Sequence, residues 1–180
     1  IRRLTELHVE TLIDGAHAPG MLPLDLQALQ PTYYTGNCHK WLCAPKGVGF
    51  LYTCREKQPQ VRPTCISHGA NSKRTDRSRY LMEFDWLGTD DPTPILCLPD
   101  AIRFLETLLP GGLAGLQHRN RELALAAQRQ LCQALQMEPP APEEMIACLA
   151  SVPLPPGDSR HPSAAGPPED PLQTRLRERW

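Results

Sequence analysis

Lys40 is the residue of this sequence that is best suited to covalent chemistry. It follows His39 and lies between a β-prone run at 32–35 and a glycine-punctuated apolar run at 47–51, which predicts a tight turn. A lysine amine forms a Schiff base with a carbonyl compound when burial and nearby cations depress its pKa. A turn of this kind does not simply hold the ammonium in water, as a helix or sheet face would. The sequence therefore predicts amine chemistry at Lys40.

A second group of polar residues follows an earlier predicted strand. Residues 9–13 (VETLI) form a β-rich run that ends at Asp14 and Gly15, as a buried parallel strand does where it enters a loop. Ligands of open α/β sheets bind at that edge of the sheet. Taken alone, however, Asp14 is explained as well by a turn beside glycine, and His17 by an ordinary loop histidine. The residues by themselves leave both alternatives open.

Three motifs together resemble the class V aminotransferase family, and within it the isopenicillin N epimerase-like branch. They are DGAH at 14–17, CHKW at 38–41 and PKGVGFL at 45–51. The resemblance implies an α/β fold, namely part of the large domain of fold-type I pyridoxal phosphate enzymes, with a mostly parallel sheet and helices on both faces. Part of a small α+β C-terminal domain would follow. It also implies pyridoxal 5'-phosphate as the cofactor and an amino acid as the substrate.

The resemblance assigns a role to each matching residue. Lys40 would carry the cofactor as a Schiff base and, once a substrate amine displaces it, move protons at Cα. Asp14 would bond the pyridine nitrogen and keep the ring protonated as an electron acceptor, and His17 would approach the phenolic oxygen. FDWLGTDD at 84–91 resembles an element that reaches the phosphate from the neighbouring subunit through Thr89, which implies a homodimer. The other expected phosphate contacts are His39 and Asn37, the latter where the family commonly has Ser or Thr.

The expected outcome after Cα deprotonation is carbon–sulfur lyase or epimerase-like chemistry, because the motifs resemble that branch. Cysteine desulfurase activity is less expected. Those relatives need a mobile cysteine in a late loop, and the last cysteine here, Cys148, falls in a predicted strand at 145–152.

Two alternatives from other functional classes stay open. One is a catalytically silent fragment that only dimerises. The other is a zinc-stabilised binding module, which would need two close ligand pairs. Its four candidate ligands are Cys38, Cys43, Cys65 and His68.

The composition excludes several classes of partner. With 19 basic and 20 acidic residues in 180, no charge pattern indicates nucleic acid or an anionic membrane. No apolar run approaches the length of a membrane-spanning helix. Seven cysteines without a CxxC pair do not form a disulfide framework, which favours a reducing, cytoplasmic location. The sequence opens on Ile1 inside a helix-like run, so we expect a C-terminal fragment of a longer chain.

Three segments are expected along the chain: a partial large domain at 1–112, a partial small domain at 113–152 and a proline-rich loop or disordered tail at 153–180, where a helix starts near residue 172. Predicted helices cover 24–29, 102–109 and 113–136. Residues 55–79 are predicted to form a polar surface loop with a short strand near 65–66. The basic block in this loop is interpreted as solvated charge. That block consists of Lys73, Arg74, Arg77 and Arg79. The long helix at 113–136 has a predicted core stripe, which consists of Leu116, Leu123, Ala127, Leu131 and Leu135.

Overall fold

The computed structural model describes residues 1–155 and 171–179, and in these ranges one three-stranded sheet organises the chain. Its strands are β1 (Leu12–Asp14), β2 (Tyr33–Asn37) and β3 (Gly49–Thr53), in that order. β1 runs parallel to β2, and β3 runs antiparallel to it. The described sheet therefore contributes one parallel and one antiparallel pair to the α/β fold. All three strands lie one to three residues further along the chain than the sequence predicts.

The strand predicted at 9–13 is wrong in one respect: it is not buried. β1 is an edge strand, and the Leu12 side chain is 68% exposed. Of the strands, β2 is the first with buried residues, and its Tyr34 and Gly36 face the interior. Tyr34 stacks on Phe50 of β3 with ring centroids 6.1 Å apart. A Cβ added to Gly36 would lie 2.4 Å from the Phe50 ring, so glycine is needed for this close approach.

The hydrophobic core is built around the turn that carries Lys40. Four residues of the segment that connects β2 to β3 are buried, and Leu105 packs onto them from the later helices. Half-buried side chains of the same helices complete the cluster. Because the core includes the turn itself, burial of apolar surface fixes the backbone on both sides of Lys40. The four buried turn residues are Cys38, Leu42, Ala44 and Val48.

The helices surround this sheet and turn. In the β1–β2 crossover, α2 (Ala18–Met21) is broken by non-helical backbone at Pro19 and Gly20. α3 (Leu26–Leu29) confirms the predicted helix at 24–29 and is capped by the Asp25 carboxylate, which accepts from two backbone N–H groups. The bounds of the other helices are α1 Arg2–Glu6, α4 Arg79–Asp85, α5 Thr93–Leu96, α6 Leu98–Thr107, α7 Gly112–Leu135 and α8 Pro171–Arg179.

The bounds predicted for α7 are nearly right, but its predicted core stripe is wrong at Leu123, Ala127 and Leu131, whereas Leu116 does pack against the core. Leu123 and Leu131 are 68% and 51% exposed. The buried face instead carries Leu125, Gln128 and Cys132. Polar contacts fix that face: the Gln128 amide donates to the Ser151 carbonyl at 2.8 Å. Helical periodicity located the helix, whereas a buried glutamine decided which side faces inward.

Neither predicted strand outside the sheet forms. Of the strand predicted at 145–152, Met145 ends a 3₁₀ turn (Glu143–Met145) and residues 146–152 are irregular. Backbone carbonyls of this segment accept hydrogen bonds from helix side chains instead of from a neighbouring strand. Arg121 donates to the Ile146 carbonyl at 2.9 Å. Residues 65–66 likewise lie in irregular chain between two 3₁₀ turns, Gln58–Gln60 and His68–Asn71.

The C-terminal predictions fall partly outside the described residues. Residues 156–170, most of the expected loop, are among those not described, whereas α8 confirms the helix expected near residue 172. The proposed boundary at 112/113 coincides with the start of α7, whose Leu113 and Leu116 pack against the core of the turn. In the described ranges, no helix is both long and apolar enough to cross a lipid bilayer.

Candidate active site

One backbone atom, the Val48 carbonyl oxygen, closes the turn that carries Lys40. It accepts hydrogen bonds from the backbone N–H of Cys38 (2.9 Å) and of His39 (3.3 Å) and from the His39 ring (3.0 Å). A further hydrogen bond, from the Ala44 N–H to the Cys38 carbonyl (3.1 Å), spans the turn. These bonds satisfy the polar backbone of a segment that is otherwise packed into the core.

The contact with Val48 fixes the tautomer of His39. A carbonyl oxygen can only accept, so His39 Nδ1 carries the proton in this bond. The other nitrogen of the neutral ring, Nε2, then has a lone pair and no proton. The predicted role of His39 as a donor to a phosphate therefore requires the imidazolium form of the ring.

The four lysines of the chain differ sharply in their surroundings. Lys46 and Lys73 are exposed. Lys57 is half-buried and pairs with Glu10, and the hydrogen bond and charge of that carboxylate raise the pKa of Lys57. Lys40 is also half-buried, but its ammonium has no hydrogen-bond or ion-pair partner among residues 1–155 and 171–179. Of the four, Lys40 alone combines partial burial with the lack of a carboxylate in that part of the chain.

Asp14 lies at the carboxyl end of β1, opposite Thr35 of β2. Its Oδ1 accepts from the Ala16 N–H at 3.0 Å, and the Gly15 N–H bonds the Thr35 carbonyl at 2.9 Å. This turn was one of the two alternatives for Asp14, and within the described ranges it leaves the second carboxylate oxygen available to a ligand. Burial, together with the negative charge of Asp14, raises the pKa of the neighbouring Tyr34 phenol.

The loop after β1 packs directly against the Lys40 turn. The Trp41 indole Nε1–H donates to His17 Nδ1 at 3.2 Å. Gly20, with φ +83°, allows this approach, since an added Cβ would lie 2.7 Å from the Trp41 carbonyl carbon. The structure thus brings Asp14, His17 and Lys40 to one edge of the sheet, where β2 also ends at Asn37.

Thr89 is not brought to this edge by any hydrogen bond of the described residues. It is exposed in the irregular segment that follows α4. The nearby basic block is neutralised locally, for three of its four cations pair with acids. The pairs are Arg74–Asp76, Arg77–Asp85 and Arg79–Glu83.

Comparison with known proteins identifies the family. The family model of the class-V aminotransferases matches residues 1–161. The chain belongs to this family.

Three relatives of the class V chain show its branch. It is 37% identical to isopenicillin N epimerase of Amycolatopsis lactamdurans, over 83% of this chain and 39% of that protein. It is 35% identical to isopenicillin N epimerase of Streptomyces clavuligerus, over 83% of this chain and 40% of that protein. Putative L-cysteine desulfhydrase 1 of Oryza sativa subsp. japonica is 31% identical to it, over 81% of this chain and 29% of that protein. The chain thus spans about 40% or less of the length of these relatives.

A solved structure confirms the fold class. The apo structure of cysteine desulfurase from Thermococcus onnurineus NA1 superposes with a TM-score of 0.64, over 82% of this chain and 37% of that one, at 19% identity. Pyridoxal phosphate is the cofactor of the class V family, so the expected cofactor class is confirmed.

The residues present fit that cofactor in their chemistry. Asp14 offers a free carboxylate oxygen to a pyridinium, and Lys40 offers an amine without a carboxylate to hold it. By contrast, the four zinc candidates do not gather. No cluster of three or more potential metal ligands occurs within 1–155 and 171–179, so the zinc interpretation has no support there.

Sequence reasoning missed two parts of this class V site. The Val48 carbonyl is a backbone atom, and no residue type signals its role. The hydrogen bond from Trp41 to His17 was also missed, although both residues lie in the motifs that identified the family. The spacing along the chain, 24 residues, gave no indication that the two side chains meet.

Proposed function

We propose that this chain supplies the lysine side of a pyridoxal-phosphate enzyme acting at Cα of an amino-acid substrate. The observation that carries the proposal is the state of Lys40: half-buried, on a turn anchored by the core, and without a carboxylate partner in the described part of the chain. A carboxylate would hold the ammonium form, as Glu10 does for Lys57, whereas Schiff-base formation needs the free amine.

The proposed roles follow from what each group can donate or accept. Lys40 would hold the cofactor through its amine and would later carry the proton that leaves or returns to Cα. Asp14 accepts from the pyridinium nitrogen, and His17 contacts the phenolic oxygen. When bound, the cofactor supplies an electron-accepting ring that stabilises negative charge at Cα. The phosphate contacts in this proposal are Asn37 and His39, with Thr89 from a second subunit.

The proposed reaction is carbon–sulfur lysis or epimerisation, and the relatives named as desulfhydrase and epimerase support both. Both begin with proton removal from Cα. Lysis then expels a group from Cβ, whereas epimerisation returns the proton to the opposite face. Incubation with L-cysteine or isopenicillin N in D₂O separates them: sulfide release indicates lysis, and a deuterated epimer without sulfide indicates epimerisation.

The central experiment is borohydride reduction of the full-length gene product loaded with pyridoxal phosphate, followed by peptide mapping. We expect a pyridoxyl group on Lys40. The other three lysines are internal controls, since two are exposed and Lys57 is paired with Glu10. Label on one of them would overturn the assignment of Lys40. No label on any lysine would favour the silent, dimerising alternative.

We also propose a homodimer in which Thr89 acts across the interface. The support is that four apolar residues on either side of Thr89 in the sequence are exposed, namely Trp86, Leu87, Ile95 and Leu96. Subunit mixing tests the arrangement. A Lys40→Ala subunit and a Thr89→Val subunit, each weakly active alone, should regain one intact site per mixed dimer. If Thr89 instead serves its own subunit, mixing restores nothing.

The location and the domain division remain part of the proposal. All seven cysteines are unpaired thiols, which supports a reducing, cytoplasmic setting. The proposed large domain at 1–112 contains all of the proposed site residues, and the proposed small domain at 113–152 packs on it through α7. Fractionation of cells that express the tagged full-length protein checks the location.

A further inference from the structure

We infer that Trp41 is a positioning residue that holds His17 in the Nε2–H tautomer, so that this ring presents a hydrogen-bond donor to the cofactor's phenolic oxygen. The inference rests on the proposed function for its last clause. Its structural part depends only on the bond between the Trp41 indole and His17 Nδ1, 3.2 Å long.

The tautomer follows from the chemistry of the two side chains. An indole N–H can donate but has no lone pair to accept with. His17 Nδ1 must therefore be the acceptor, which places the ring proton on Nε2. The imidazolium form is also excluded while this bond exists, because both of its nitrogens carry protons.

The backbone that carries the Trp41 indole is held by contacts that do not involve His17. The Trp41 backbone is held between Lys40, on the core-anchored turn, and Leu42, which is buried. On its other side the backbone packs against Gly20 so closely that a methyl group would not fit. The backbone that carries the indole is therefore held by contacts other than the bond to His17.

The free nitrogen of His17 is available to a ligand. Within residues 1–155 and 171–179 no acceptor bonds Nε2–H. A neutral N–H donor suits an anionic phenolic oxygen, whereas the opposite tautomer would turn a lone pair towards it. His39 shows the reverse arrangement, with its proton held on Nδ1 by the Val48 carbonyl. Two histidines of one site are thus fixed in opposite tautomers by neighbours that can only donate or only accept.

Histidine-selective ¹⁵N labelling and long-range ¹H–¹⁵N correlation spectra of the full-length gene product, without added cofactor, test the tautomer directly. The His17 signals are identified by their loss in His17→Gln. We expect the wild-type protein to show an unprotonated Nδ1 and a protonated Nε2 at His17. In Trp41→Phe, the two nitrogen shifts should move towards each other as both tautomers become populated. Trp86→Phe is the matched control and should leave the His17 signals unchanged.

A protonated Nδ1 at His17 in the wild type, or unchanged His17 shifts in Trp41→Phe, would overturn the inference. If Trp41→Phe does not fold, benzothienylalanine at position 41 keeps the shape of indole and removes only the N–H, and the same spectra decide. In the cofactor-loaded protein, loss of the indole N–H should shift the absorption maximum of bound pyridoxal phosphate. If Lys40 takes no label but the tautomer changes as expected, the proposed function fails and the structural inference stands.

Discussion

Two regions of this chain that carry cations have opposite electrostatic organisation. In the segment at 73–79, three arginines each find a carboxylate. One of these acids, Glu83, is 3% exposed and contacts both Arg62 and Arg79. On the Lys40 turn, in contrast, backbone hydrogen bonds and apolar burial hold the segment, and the cation has no carboxylate partner in the described part of the chain.

The difference shows how a structural cation differs from one that is available for chemistry. The arginines pair with carboxylates of the same segment or of α4. Asp76 illustrates this, because the hydrogen bond from Arg74 lowers its pKa to about 2. A lysine that is positioned by its neighbours but not neutralised by them can still exchange its proton and bind a carbonyl group. Density of positive charge is therefore a poorer guide to function than the absence of counter-charge.

The largest expected effect tests this contrast at its centre. Lys40→Gln removes the amine and should lower turnover of the full-length enzyme by about 10²–10⁴-fold, since it deletes both the attachment point and the proton carrier. Lys73→Gln is the matched control in the basic segment and should leave turnover unchanged. Steady-state rates at saturating pyridoxal phosphate decide, and equal losses in the two variants would remove the distinction between the regions.

The second prediction concerns how the turn is held. Gly20→Ala places a methyl group against the Trp41 backbone at a residue with φ +83°, and we expect about 2–4 kcal/mol less free energy of unfolding. Gly47→Ala meets the same left-handed backbone, φ +92°, but open space around it. It should cost only about 1–2 kcal/mol. Urea titration measures both, and equal losses would mean that the contact with Trp41 contributes nothing.

The third prediction weakens the other region. Glu83→Gln removes the charge shared by Arg62 and Arg79 and should cost about 1–2 kcal/mol of unfolding free energy, a modest loss because both guanidinium groups are half or more exposed. Asp76→Asn, at an exposed pair, should lower the urea midpoint at pH 7 only slightly, because water screens the pair. The pairing with Arg74 stabilises the folded protein at pH values above 3.8, the ordinary pKa of an aspartate. This stabilisation is lost as the pH falls through about 2, the pKa of Asp76 in the folded protein. A larger loss in Asp76→Asn than in Glu83→Gln would contradict the assignment.

The smallest effect compares two thiols. Burial raises the pKa of Cys38, which lies in the core beside His39, whereas Cys65 is exposed beside the basic segment. At pH 8 a disulfide reagent should modify Cys65 quickly and Cys38 only as the protein unfolds. The raised pKa also means that this contribution to stability is present below pH 9 and is lost as the pH rises further. Rapid labelling of Cys38 would show that the turn opens.

The sequence predicted the three strands of the sheet, the long helices and the family, because local propensity and short motifs carry that information. It did not predict which face of α7 is buried, since Gln128 is drawn inward by the Ser151 carbonyl, a partner 23 residues away. The strand at 145–152 was predicted from its resemblance to a small-domain run of the family, but a strand needs a neighbour with free hydrogen-bonding groups. Arg121 and Gln128 occupy its carbonyls instead. Long-range polar contacts of this kind have no signature in the periodicity of the chain.

The Val48 carbonyl has a consequence for how this site is mapped by genetics. Three hydrogen bonds converge on that one oxygen, and every amino acid that could replace valine supplies the same oxygen. A saturation mutagenesis screen would therefore score position 48 only for how well its side chain fills the core, and the atom that orients His39 would leave no trace in the data. Only an edit to the main chain itself, such as a backbone ester in place of the amide between Val48 and Gly49, alters the acceptor and makes its contribution measurable.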